Sequence, residues 1–165
     1  METYLKFISD SLSDVYLIAP TTGVLICIAL TLMLMAMSAF ASGSEIAFFS
    51  LSPSDMAELN AQKTSSKSNI LKLREDSEHT LATILITNNF VNVTIIMLCN
   101  YIFGNIVHFG EKAYWLQFLS LTVMLTFLLL LFGEIMPKVY SRQDPLNFCR
   151  KAVKGVCICL KVFWP

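Results

Sequence analysis

The stretch "AYWLQFLSLTVMLTFLLLLFGEIMPKV", Ala113–Val139, decides the class of this protein. From Ala113 to Gly133 it carries no charge, and it then places Glu134, Pro137 and Lys138 within a few residues. A charge-free run of this length is enough to cross the hydrocarbon core as a helix, which takes about 20 residues. Two further charge-free runs lie upstream, from Val15 to Ser44 and from Thr80 to Val107. The expected fold is therefore an all-α membrane protein with three transmembrane helices, at about 17–41, 81–105 and 114–134. Composition agrees: the 165 residues are 55% apolar and only 15% charged, against about 25% charged in soluble domains. The net charge of zero argues against nucleic acid as a partner. "METYLKFISDSLSD" has little positive charge and no small-residue cleavage site, so no removable secretory signal is expected.

Lysine and arginine in the flanks set the expected orientation. The N-terminal flank has Lys6 and the second loop has Lys112, whereas the first loop has Lys63, Lys67, Lys72 and Arg74. The tail adds Lys138, Arg142, Arg150, Lys151, Lys154 and Lys161. These counts put the N-terminus outside and both the first loop and the C-terminus in the cytoplasm. The first loop, about 52–78, is expected to form two short juxtamembrane helices, with Ser52, Pro53 and Asp55 as start signals. Asp144 and Pro145 are expected to begin another helix at about 145–163. Its apolar positions Cys149, Ala152, Val153, Val156, Cys157 and Leu160 form one stripe, with basic residues largely off it. Such a helix suits the lipids of an anionic leaflet or packing on a soluble domain. The five cysteines show no CxxC pair and read as small hydrophobes rather than zinc ligands or disulfides.

Polar groups at membrane depth are costly and usually face a cavity or a partner. Three clusters qualify: "SGSE", with Ser42, Ser44 and Glu45; "TNNFVN", with Asn88, Asn89 and Asn92; and "GEIMPK", with Gly133, Glu134 and Pro137. Singly, each has a bland reading, as close helix packing, interhelical hydrogen bonding or an interfacial carboxylate. Topology, however, puts all three in the inner half of one bundle, with "SGSE" as a small polar break in the first span. Hydroxyl, amide, carboxylate and carbonyl oxygens suit hard cations such as Mg²⁺, Ca²⁺ or Na⁺. Pro137 has no N–H to give the carbonyl four residues back, so the Gly133 oxygen is expected to be free beside Glu134. His79 and His108 fall at the two membrane edges and are expected to be solvated. No nucleophile–base pair or phosphate-binding glycine loop occurs, so no enzyme is expected.

"FASGSEIAFFSLS", "ILITNNFVN" and "LLFGEIMPK" resemble the three signature stretches of the transmembrane domain in the CorC and cyclin M (CNNM) family of magnesium transporters. The GldE-like gliding-motility branch is one candidate home within it. The resemblance covers essentially the whole chain. It implies a homodimer in an inner cell membrane, each subunit holding Mg²⁺ through Ser42, Asn88, Asn92, Gly133 and Glu134, with Ser38 and Pro137 as weaker candidates. It also implies Mg²⁺ transport, with efflux and Na⁺ coupling as expectations. Gly104, Phe103 and the Met- and Leu-rich face of the third span are candidate dimer contacts. Members continue into a nucleotide-binding pair of CBS modules. This chain stops at Pro165, about where that region begins, so nucleotide is expected only through a CBS region it lacks. Two other readings stay open: a membrane scaffold or sensor with a structural cation, and a Ca²⁺ or Na⁺ carrier using the same oxygens.

Overall fold

The computed structural model describes residues 16–61, 65–108 and 114–163. A strand β1 (Tyr16–Leu17) leads into α1 (Thr22–Phe49), followed by α2 (Pro53–Ala61), α3 (Ser65–Glu75) and α4 (Ser77–Ile106). A strand β2 (Val107–His108) follows, then α5 (Tyr114–Leu128), a π-helical segment (Leu129–Ile135), α6 (Met136–Gln143) and α7 (Pro145–Phe163). Among the described residues, three helices are long and apolar enough to cross a membrane: Thr22–Phe49, Ser77–Ile106 and Trp115–Gln143, of 28, 30 and 29 residues. The third runs through α5, the π segment and α6. At 1.5 Å per residue each is over 40 Å long, against a hydrocarbon core of about 30 Å. Each helix therefore projects beyond the apolar slab.

Two expectations change here. Tyr16 and Leu17 belong to a short ribbon and not to the first span: Tyr16 pairs with His108 and Leu17 with Val107. The Ile18 amide continues the ladder to the Ile106 carbonyl at 2.7 Å. In addition, "SGSE" is no break, because α1 stays helical from Thr22 to Phe49. Its Ser42, Gly43 and Ser44 are buried, and small residues at a helix contact let backbones approach closely.

The core lies at one end of the bundle. Ala47 and Phe48 of α1, Leu59 of α2, Ile70 and Leu73 of α3 and Ile84 of α4 join Leu146, Cys149, Ala152, Val153 and Val156 of α7 in one buried cluster. Along the rest of the spans, large apolar side chains such as Met33, Met97, Phe118 and Phe127 are exposed. Water drives apolar burial only where the helices leave the membrane, so a soluble-type core forms there. α7 supplies much of it: of the two destinations expected for its stripe, lipid or a soluble domain, it takes neither, and it packs on other helices of this chain. Cys149, Ala152, Val153 and Val156 are at most 1% exposed against α1, α3 and α4. Burial pushes the Cys149 thiol up to about 12, so it stays protonated at neutral pH. Helical periodicity is the same whether a stripe meets lipid or protein.

α7 is locked to α1 by two reciprocal insertions. A Cβ on Gly43 would lie 2.7 Å from Phe148 Cζ, and one on Gly155 would lie 2.6 Å from Phe40 Cζ. Each glycine thus makes the notch for the other helix's ring. Local chemistry sets the helix starts. At α2, the Asp55 amide donates to Ser52 Oγ at 3.2 Å while the Ser52 amide donates to Asp55 Oδ2 at 2.8 Å, a reciprocal capping box. At α7 the Asn147 amide donates to Asp144 Oδ1 at 3.2 Å. Arg150 of α7 pairs with Glu58 of α2 at 3.1 Å.

Candidate metal centre

Hydroxyls in these apolar helices have a default partner, the carbonyl four residues back on their own helix. Thr31 donates to the Cys27 carbonyl, Ser44 to Phe40, Thr87 to Thr83 and Thr122 to Phe118, all at 2.7–2.8 Å. Ser38 and Ser42 of α1 depart from it, although both are fully buried. Ser38 Oγ lies 2.8 Å from Asn88 Oδ1 and 2.7 Å from Asn92 Oδ1. A hydroxyl has one proton to donate, so three oxygens converge with a single hydrogen among them. Ser42, one turn further on, has a buried Oγ with no hydrogen-bond partner among the described residues. Leaving such a group unpaired costs about 1–3 kcal/mol.

The third span closes on the same point through its backbone. A Cβ on Gly133 would sit 3.1 Å from Ser38 Oγ, so only glycine brings the main chain this near without a shift. Here the helix widens: the Met136 amide reaches the Leu131 carbonyl, five residues back. The helix stays continuous through this π-helical segment, Leu129–Ile135. Pro137 still has no N–H for the Gly133 carbonyl, and turns of this kind cluster at functional sites. Glu134 is half-buried next to Gly133 and has no hydrogen bond or ion pair among the described residues. Glu45, by contrast, is paired with Lys138 Nζ at 3.2 Å.

Ser38, Asn88, Asn92 and Gly133 are therefore brought together, with Ser42 and Glu134 adjoining. Ser38, a weaker candidate from sequence, is the hub. Three candidates are directed elsewhere: Ser44 back-bonds to Phe40, Glu45 pairs with Lys138, and Asn89 is exposed. The π turn was missed, and Pro137 was its only signal. Among the described residues no three His, Cys, Asp or Glu side chains gather, so the arrangement offers neutral oxygens, with Glu134 the next residue along the chain from Gly133. Such a set can hold a hard cation. His79 and His108 are exposed; His79 pairs with Asp76 at 2.7 Å, and the His108 ring centroid is 4.9 Å from that of Tyr16.

Fold and site together define a three-span all-α membrane protein with a buried oxygen cluster between its spans. Residues 29–165 match the family described as the cyclin M transmembrane N-terminal domain, and the chain belongs to that family. It is 28% identical over 154 residues to "Metal transporter cnnm-4" of Caenorhabditis elegans, covering 87% of this chain and 31% of that protein. It is 29% identical over 132 residues to "UPF0053 protein" of Haemophilus influenzae (strain ATCC 51907 / DSM 11121 / KW20 / Rd), covering 79% of this chain and 30% of that one. The chain spans about a third of the length of these curated relatives.

Proposed function

We propose that this chain is the membrane domain of a magnesium transporter, with Mg²⁺ as its cargo. The ion is held by Ser38, Ser42, Asn88, Asn92, the Gly133 carbonyl and Glu134. The observation that carries this reading is the oxygen cluster at Ser38, which has fewer protons than contacts, beside the orphaned Ser42 hydroxyl. A cation satisfies both at once. It uses the lone pairs that oppose one another at Ser38 and gives Ser42 Oγ the partner it lacks. One carboxylate leaves a doubly charged ion half neutralised, which favours release and hence transport. The name of the worm relative as a metal transporter supports the same class.

The protein lies in a cell (inner) membrane with its N-terminus outside and its C-terminus in the cytoplasm, as the excess of Lys and Arg in the first loop and tail supports. The exposed apolar faces of α4 and α5, which carry Met97 and Phe118, supply the contacts for lipid and for a second copy in a homodimer. Transport runs outward, with Na⁺ as the coupling ion.

Flux decides between transport and a scaffold that only holds its ion. The longer protein containing this domain, reconstituted in vesicles with an internal Mg²⁺ indicator, is expected to move Mg²⁺ in the direction opposite to Na⁺ flow when a Na⁺ gradient is imposed. Asn92→Ala is expected to lower the rate at least about tenfold, the loss of one ion contact of roughly 1.4 kcal/mol. Mg²⁺ binding without flux would favour the scaffold.

A further inference from the structure

A cleft of about 900 Å³ lies at the elbow between α6 and α7, away from the oxygen cluster. Its floor is Phe40 of α1; Tyr140 and Gln143 of α6 and Asp144, Asn147, Phe148 and Lys151 complete its walls. Its level in the membrane follows from its neighbours. The third span ends at Gln143, and Lys138 and Arg142 mark the change from apolar to charged sequence. Tyr140 is 68% exposed and meets Phe148 edge-on, with ring centroids 6.5 Å apart. Exposed tyrosines at such a boundary sit at headgroup depth. One wall is thus aromatic and the other polar, as an amphiphile requires.

The polar wall holds charges of both signs. Asp144 and Lys151 are seven residues apart, two turns or about 10 Å along the chain, which leaves room for a headgroup between them. Asp144 is exposed, and its carboxyl is held below the usual carboxylate range, chiefly by the Asn147 side-chain amide and then by the Asn147 backbone amide. It is therefore ionised at neutral pH. Its two bonds from Asn147, at 2.6 and 3.2 Å, leave lone pairs for a further donor. A purely anionic headgroup would satisfy Lys151 but face Asp144. A choline headgroup carries the right charges but no N–H to donate.

We propose that this cleft binds a zwitterionic aminophospholipid, phosphatidylethanolamine, from the leaflet that α7 borders. Its ammonium donates to Asp144, its phosphate accepts from Lys151 and Asn147, and its glycerol and first acyl carbons lie against Phe40, Tyr140 and Phe148.

The test is a titration of the delipidated protein in detergent with dioctanoyl phosphatidylethanolamine, phosphatidylcholine and phosphatidylglycerol, with bound lipid counted by native mass spectrometry. Phosphatidylethanolamine is expected to bind about tenfold more tightly than phosphatidylcholine, the worth of a charge-assisted hydrogen bond. Lys151→Ala, at an exposed position, and Asp144→Asn, which keeps an oxygen to cap α7, are each expected to lower that affinity about tenfold. Three lipids binding within about twofold of one another would overturn the proposal. So would preferential binding of phosphatidylglycerol, or ethanolamine binding that survives both substitutions.

Discussion

Glu134→Gln is expected to abolish most of the thermal stabilisation that Mg²⁺ gives the purified protein. An ion that binds the folded state stabilises it by RT ln(1 + [L]/Kd), about 2.7 kcal/mol at a hundredfold excess. For a chain of this size that is a rise in Tm of roughly 5–10 °C. Glu134 follows the buried Gly133 and has no hydrogen bond or ion pair among the described residues; on the proposed reading its carboxylate supplies the charge of the site. The amide keeps the shape and removes that charge. Glu45→Gln is the matched control: its carboxylate is engaged by Lys138, so the Mg²⁺ response should persist. Pro137→Ala should weaken the response by a smaller amount, because alanine restores an N–H for the Gly133 carbonyl. A Glu134→Gln protein that titrates like the unaltered one would remove Glu134 from the site.

The second large effect concerns the contact between α1 and α7. Gly43→Ala and Gly155→Ala each place a methyl group where a phenylalanine ring now sits, at 2.7 and 2.6 Å. Forced overpacking of this kind costs about 1–3 kcal/mol. The ring is the cause, so it is also the remedy: Gly43→Ala should cost much less when Phe148 is already alanine. Thermal unfolding of the two single variants and the double variant measures this as a coupling energy of roughly 1 kcal/mol or more. Effects that add to within about 0.5 kcal/mol would mean that the ring and the glycine are independent.

What the sequence disclosed follows from what is local. Charge-free runs marked the spans because the bilayer excludes charge whatever the tertiary packing. The starts of α2 and α7 were legible because Ser52, Asp55 and Asp144 bond within their own first turns. The oxygen-bearing clusters were visible as residue types out of place in apolar runs. Contacts between helices were another matter. Ser38 ranked behind Ser42 because nothing within α1 reveals that Asn88 and Asn92 both point at it. Asn89, one residue from Asn88 and so about a quarter turn round the helix, is exposed. The destination of the α7 stripe could not be read from a periodicity shared by lipid-facing and protein-facing helices. The π turn depends on a single proline, and the β1–β2 ribbon is too short to leave a pattern.

The most direct test of the central claim is a structure of the protein grown with Mg²⁺, and with Mn²⁺ for its anomalous signal. One ion is expected between α1, α4 and the π segment, bound to Ser38 or Ser42, to Asn88 or Asn92, and to Gly133 or Glu134. Its oxygen distances should be near 2.1 Å. An ion bound elsewhere, or none at saturating metal with Ser42 Oγ still unpartnered, would contradict the account.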